Sequence, residues 1–405
     1  MTAPITRTGP LVGMRVLDLT HVMAGPTCCL MLADMGADVI KVEKAEGGDD
    51  SRRMVPPLVK GEPASFMMMN RNKRGIVLDL KKPEARAALL KLVKTADVLV
   101  ENYRKGTMEK LGIGYDVLAK ENPALIYCEI SGFGRTGPYA DQGGFDLVAQ
   151  AMTGLMSITG EGPGRPPVKV GAPLTDITGG LLACMGVLAA YANRLKTGKG
   201  QRVDTSLFEA GMVHTYWQSA IAFATGVAPG PLGSAHPLSA PYQAFQTKDG
   251  WVCLGASNQR TWLKFCEAVE APGLAADPRF KDNAARMANL PALVAAIEPH
   301  FARYTNAEML ALLEKNGVPA GPVLDVNEAH RHPQAIARDM VPALDHPVAG
   351  KVQTIGLPIK FSATPGGVKH AAPVFGQHTR DVLTEVGYTS SEIDTLLASG
   401  AAKQG

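Results

Sequence analysis

The sequence predicts an α/β protein, with a large domain on a mostly parallel sheet and a smaller α+β domain. Strand-length apolar runs alternate with helical periodicity through the first hundred residues, the rhythm of βαβ units whose helices cover a parallel sheet. A Gly- and Pro-rich stretch, Ala228-Pro-Gly-Pro-Leu-Gly-Ser-Ala-His-Pro-Leu-Ser-Ala-Pro241, then changes the composition and reads as a crossing between domains. The length, 405 residues, exceeds a usual single core and makes two domains the natural division.

In order, the sequence predicts strand Arg15 to Leu19, helix Thr27 to Met35, strand Asp38 to Val42, strand Gly75 to Leu80, helix Pro83 to Thr95 and strand Asp97 to Glu101. Such sheets bind ligands outside the carboxyl ends of their strands. The first strand-to-helix turn is Thr20-His-Val-Met-Ala-Gly-Pro26 and not G-x-G-x-x-G, which removes the main support for a nicotinamide dehydrogenase. Further on, Leu181 to Tyr191 is apolar on every face and reads as a helix inside a core. Gly198 to Asp204 reads as a turn and strand, and Ser206 to Phe223 as one more helix. From Tyr242 the pattern is a hairpin around Lys248-Asp-Gly250, then helices at Thr261 to Ala268, Leu290 to Phe301 and Asn306 to Lys315. Beyond Pro319 come strand, Pro-rich loop and two short helices, Arg380 to Val386 and Ser390 to Ala398. There is no internal repeat and no low-complexity tract.

Composition narrows the function classes. Hydrophobic residues make up 46% and charged residues 20%, as in an ordinary globular protein, and the formal charge is only +3. This gives no general affinity for nucleic acid or anionic membrane, so any anion site is local. Six cysteines (Cys28, Cys29, Cys128, Cys184, Cys253, Cys266) lie mostly in apolar runs without metal spacing and read as buried free thiols; no metal site is expected. No signal region or uninterrupted membrane span is evident, and a reducing cytoplasm is the expected location.

The most informative residue is Asp176, in Val170-Gly-Ala-Pro-Leu-Thr-Asp-Ile-Thr-Gly-Gly180, where a short apolar strand meets a long apolar helix. Thr175 or Asp176 could simply cap that helix. Gly171, Ala172, Gly179 and Gly180 also remove bulk around the acid, as at a site where a ligand approaches the backbone. Cationic residues collect near predicted strand ends: Lys41, Lys44, Arg52, Arg53, Arg71, Lys73, Arg74, Arg104 and Lys105. They suit a polyphosphate, or are solvated surface. His21 either lines a ligand site or is satisfied by a carbonyl. Asp146 is a second site carboxylate or the cap of the helix after it. Met67 to Met69 reads as core, and Arg135 as a phosphate ligand or a loop anchor. Gly376-Gln-His-Thr379 reads as a helix entry.

Read together, Val16-Leu-Asp-Leu-Thr-His-Val-Met-Ala-Gly-Pro26, Gly36-Ala-Asp-Val-Ile-Lys-Val-Glu43, Asn72-Lys-Arg-Gly75, Asp97-Val-Leu-Val-Glu-Asn102, Ser131-Gly-Phe-Gly134 and the Asp176 segment resemble the class III CoA-transferase family (CaiB/BaiF), from about Leu11 to Val386. The family includes formyl-CoA transferase and the 2-methylacyl-CoA racemases. The resemblance implies a Rossmann-like large domain assembled from both ends of the chain (1–225 and 326–405), a small domain with linkers at 226–325, and an interlocked homodimer. It implies acyl-CoA and small carboxylates as substrates, no permanently bound cofactor, and Asp176 as nucleophile. The family's CoA-holding positions fall on Met23, Ala24, Lys44, Leu78, Asp79, Lys81, Asn102, Tyr103, Arg104, Lys110, Gly143 and Phe145, with His21 beside them.

The departures are informative. Lys44 and Lys110 stand where arginine is familiar, keeping charge but losing bidentate geometry. Met23 replaces a glutamine tied to oxalate chemistry, and Ser234-Ala-His-Pro-Leu-Ser239 stands where formyl-CoA transferase has a run of glycines. The racemases carry a histidine immediately before the position of Asp146; here that residue is Phe145, and a phenyl ring cannot move a proton. The reading is a CoA-transferase working through Asp176, with succinyl-CoA as the expected donor. A 2-methylacyl-CoA racemase and a non-catalytic acyl-CoA-binding protein are the alternatives.

Overall fold

Central strands in which consecutive residues are both apolar, such as Val16-Leu17 and Val39-Ile40, must be covered on both faces, and the chain achieves this with a seven-stranded sheet. The computed structural model describes residues 6–405 and divides the chain into two units. The first comprises the residues up to Thr153, Gly171–His214 and Pro333–Gly405; the second comprises Gly154–Val170 and Thr215–His332. The segment 154–170 thus leaves the large unit, and the boundaries expected at 226 and 325 fall at 215 and 332.

The first unit's strands are β1 (Arg15–Asp18), β2 (Asp38–Glu43), β3 (Arg74–Leu78), β4 (Val98–Glu101), β5 (Ile126–Ser131), β6 (Arg202–Ser206) and β7 (Ala402–Lys403). Their spatial order is β7-β3-β2-β1-β4-β5-β6, all parallel except the edge strand β7. Val16, Val39, Val98 and Cys128 face helices α1 (Ala24–Asp34) and α4 (Leu174–Thr197). Leu17, Ile40, Ile76 and Tyr127 face α2 (Pro83–Val93) and the C-terminal helices. Strand order reverses between β1 and β4, which opens a crevice at their carboxyl ends. Two further helices border it: α3 (Asp146–Met152) and α5 (Leu207–Val213).

Helix α4 departs from expectation. By length and composition it could cross a membrane, where no such span was expected. Its apolar character is explained in part by packing: Ala183, Cys184, Val187 and Ala190 enter the core beside α1 and the sheet. Yet Leu181, Met185 (65% exposed) and Leu195 (72% exposed) lie bare along the opposite stripe, so the helix is not buried all round. The single helix expected from Ser206 to Phe223 is two, Leu207–Val213 and Tyr216–Thr225, broken at His214, whose Nε2 meets Thr178 Oγ1 at 2.7 Å. A hairpin (Ala343–His346 with Gly350–Gln353) and two short helices (Val326–Arg331, Pro333–Ala337) were not foreseen. Five cysteines are buried as expected; Cys253 is exposed.

The second unit carries a three-stranded antiparallel sheet, with Trp251–Gly255 between Tyr242–Gln246 and Ala320–Pro322, and a core of Phe245, Trp262, Phe265, Phe280 and Phe301. Three of its helices, Gln259–Ala268, Leu290–Phe301 and Asn306–Lys315, match the periodicity.

Candidate active site

The turn after β1 is fixed from below by charge. Asp18 accepts bonds from Thr20 N (2.9 Å) and Lys73 Nζ (2.8 Å), and Lys41 Nζ lies 2.7 Å from Asp49 Oδ2. Burial alone would raise the Asp18 carboxyl; Lys41 and Lys73 outweigh it and bring Asp18 down to about 2. Asp49 Oδ1 takes the N–H of Val22 at 3.1 Å. Asn102, just past β4, clamps the turn from the side, accepting His21 N (2.8 Å) and donating to His21 O (2.9 Å). Val22 is thereby held at φ +67°, a left-handed conformation costly for a β-branched residue. The backbone here is set by the scaffold.

That turn opens α1, whose N-cap residue Met23 makes no side-chain cap, so the N–H groups of Ala24 and Gly25 are left without an intrahelical partner at the positive end of the dipole, where Ala24 borders the crevice. Alongside lies a cavity of about 430 Å³, lined from the ends of β1, β4, β5 and β6 and from the loop ahead of α3. Of the residues named from sequence, His21, Met23, Ala24, Lys44, Asn102, Tyr103, Arg104, Gly143, Phe145 and Asp176 line it. Four do not. Leu78 is sealed in the core, Asp79 closes the turn after β3 by accepting Lys81 N (3.2 Å), and Lys81 and Lys110 are exposed away from the cavity.

The clustered cations divide sharply. Lys41, Arg52, Arg71, Lys73 and Arg74 are committed to buried or half-buried acids of the scaffold. Arg135 reaches the cavity wall but is an anchor: it bonds Tyr103 O (3.1 Å) and Glu101 (2.6 Å) and lies 3.0 Å from Glu129. Burial, with Glu129 beside it, raises the Glu101 carboxyl above its ordinary range, and Arg135 opposes that rise. The other lining cations are Lys44, Arg104 and Lys105, of which Arg104 has no acidic partner among the described residues. His21 Nε2 lies 3.3 Å from Tyr103 Oη, and burial lowers its imidazole pKa.

Asp176 stands in the first turn of α4. The cap of that helix comes from neither Thr175 nor Asp176. Asp146, the first residue of α3, accepts Thr175 N (2.9 Å) and Thr175 Oγ1 (2.8 Å), and its other oxygen takes Gln150 Nε2 (2.8 Å). Asp146 therefore caps α4 and not the helix it begins. Relieved of that duty, the half-buried Asp176 carboxyl makes no hydrogen bond or ion pair among the described residues. Burial, then the charge of Asp146, pushes it up to about 6.

The glycines near Asp176 also serve a different purpose from the one expected. A Cβ on Gly180 would lie 2.4 Å from Ala24 O, and one on Gly179 would lie 3.2 Å from Leu207 Cδ2. They let α1 and α5 close onto α4, one turn beyond Asp176. Gly179 lies within the helix, where its N–H belongs to the intrahelical ladder and is not free to meet a ligand. Sequence reasoning missed Val22, Asp50 and Leu207 in the wall; for Val22 and Leu207 the position soon after a strand was the available signal, whereas no local pattern marks Asp50, which meets Lys44 only in the folded chain.

The first unit thus combines a doubly wound sheet, a cavity at the crevice where strand order reverses, and an isolated carboxyl in the cavity wall. The family model for CoA-transferase family III matches residues 11–379, and the chain belongs to that family and is an enzyme of its class. It is 38% identical over 397 residues to the succinyl-CoA:glutarate CoA-transferase of Mus musculus, covering 98% of this chain and 91% of that protein. It is 42% identical to the succinyl-CoA:mesaconate CoA-transferase of Haloarcula hispanica, over 94% and 97% of the two chains. A CaiB/BaiF family protein of Brucella suis of known crystal structure superposes with a TM-score of 0.84 at 38% identity, covering 94% of this chain and all of that one.

Proposed function

We propose that this protein moves CoA between small carboxylic acids through covalent intermediates on Asp176. The observation that carries the reading is the state of Asp176: a carboxyl in the wall of the cavity, raised to about 6 and without a cation of its own. An unpaired carboxylate, ionised at neutral pH and raised in basicity, is a suitable oxygen nucleophile.

In the proposed cycle an Asp176 oxygen attacks the thioester carbonyl. The C–S bond breaks, giving a mixed anhydride and CoA thiolate. The thiolate attacks the aspartyl carbonyl, releasing the donor acid and leaving an aspartyl-CoA thioester. The acceptor carboxylate attacks the same carbon and expels CoA thiolate, which then takes the acyl group from the second anhydride and frees Asp176. Each step exchanges one acyl bond for another and needs no net proton transfer. The orphan N–H groups at the start of α1, Ala24 among them, suit the tetrahedral oxyanions. Lys44 and Arg104 suit the phosphates of CoA.

Succinyl-CoA as donor and a second small dicarboxylate as acceptor is the reading that the named relatives support. The bare stripe on α4 is consistent with a homodimer in which another copy covers it. The test is mass spectrometry of the intact protein and its peptides after mixing with succinyl-CoA, with and without hydroxylamine. A CoA adduct or hydroxamate on the Asp176 peptide, absent from Asp176→Ala, is the expected result. Exchange of the α-proton in deuterated water without any adduct across several acyl-CoA donors would replace this reading with the racemase.

A further inference from the structure

A carboxylate stands among the cations of the cavity. Asp50 lines the wall beside Lys44, and its Oδ1 accepts Lys44 Nζ at 2.7 Å. The same oxygen takes Arg53 Nη2 from outside the lining, while Oδ2 has no partner among the described residues. The loop is shaped for this arrangement. Gly47 has φ +72°, and a Cβ there would lie 2.7 Å from Arg53 Nη1, so glycine lets Arg53 fold back over the loop toward Asp50. Asp49 anchors the start of the turn, accepting Ser51 N at 2.8 Å. Against its partial burial, the bond and charge of Lys44 keep the Asp50 carboxyl below the ordinary range.

A fixed negative charge at this place opposes any anion that approaches Lys44. All three side chains are about half exposed (41%, 45% and 59% for Lys44, Asp50 and Arg53), and ion pairs at such exposure are weak. A phosphate carries more charge than a carboxylate and offers three acceptor oxygens, enough to engage an ammonium and a guanidinium together. We propose that Asp50 is a built-in competitor for ligand phosphate: it holds Lys44 and Arg53 in the free enzyme, is displaced when a phosphate arrives, and keeps the affinity for phosphate-bearing thioesters low enough for product to leave. This rests on reading the cavity as the CoA site.

The test compares wild type with Asp50→Asn, which keeps the shape and the acceptor oxygen and removes the charge. Calorimetric titration with CoA and with pantetheine, which lacks the phosphates, is run at two salt concentrations. The expected result is binding of CoA about five- to tenfold tighter in Asp50→Asn, a steeper loss of that binding with salt, and no change for pantetheine. Unchanged or weaker CoA binding by the variant, with wild type binding normally, would overturn the role of Asp50 alone. Equal tightening for pantetheine would also overturn it, since the effect would then not run through phosphate. No CoA binding by wild type would overturn the reading of the cavity itself, and the inference with it.

Discussion

Two groups of aspartates lie within a few turns of the same crevice and are treated in opposite ways. Asp18 and Asp49, beneath the turn after β1, are surrounded by Lys41, Lys73, Thr20 and Ser51, and both are held below the usual carboxylate range. Asp176, on α4, has no cation and no donor among the described residues and is pushed to about 6. One group is satisfied and gives the site its shape. The other is left unsatisfied, and the proposed chemistry is assigned to it. The number of charges near a crevice therefore says little about function; what matters is which charge the scaffold declines to neutralise.

The largest expected effect breaks the reactive side. Asp176→Asn is expected to lower CoA transfer by about a thousandfold or more while leaving the far-UV circular dichroism spectrum unchanged, as loss of a covalent nucleophile does. Residual transfer within tenfold of wild type would assign the chemistry elsewhere.

The scaffold side is tested by Lys73→Met, which strips one partner from a fully buried pair. It is expected to destabilise the fold by about 3–5 kcal/mol, read as the shift of a denaturant midpoint. A loss below 1 kcal/mol would mean that Lys41 alone satisfies Asp18.

The contrast also predicts a pH profile. With Asp176 at about 6, kcat/KM for acyl-CoA falls tenfold per unit on the acid side of pH 6 as the nucleophile is protonated. Asp18, at about 2, stays ionised throughout that range. An acid limb near 4 would indicate that a cation from another copy of the chain reaches Asp176 in the free enzyme.

The smallest effect carries the sign of that shift into stability. A carboxyl raised in the folded state makes the charged form a liability above its folded pKa, and the liability vanishes below its unfolded value near 4. Asp176→Asn is therefore expected to stabilise the protein by about 1–2 kcal/mol at pH 8, after allowance for partial solvent access, and by nothing at pH 3.5. Equal gains at both pH values would point to packing.

Much of this was legible in the residues. The alternation from Arg15 to Glu101 predicts the βαβ units because period is a local property, and the segments that resemble the family single out Asp176. Less legible were the partners. Asp146 caps a helix that begins 28 residues further on, and Lys41, Lys73 and Arg135 point at acids on other strands, so no local pattern separates them from Lys44 and Arg104. The bare face of α4 escaped for a related reason: composition says that a helix is apolar, whereas exposure depends on what the rest of the chain brings against it.

Gly180 has a consequence beyond its packing. The carbonyl of Ala24 rests against it, one turn from Asp176, so this contact fixes the spacing between the start of α1 and Asp176. Every single-base change of a glycine codon that alters the residue, short of a stop, introduces a side-chain carbon. Position 180 therefore has no neighbouring residue in sequence space that it can drift through. Random mutagenesis scored on activity should return it among the least tolerant positions, although it contributes no atom to the cavity wall.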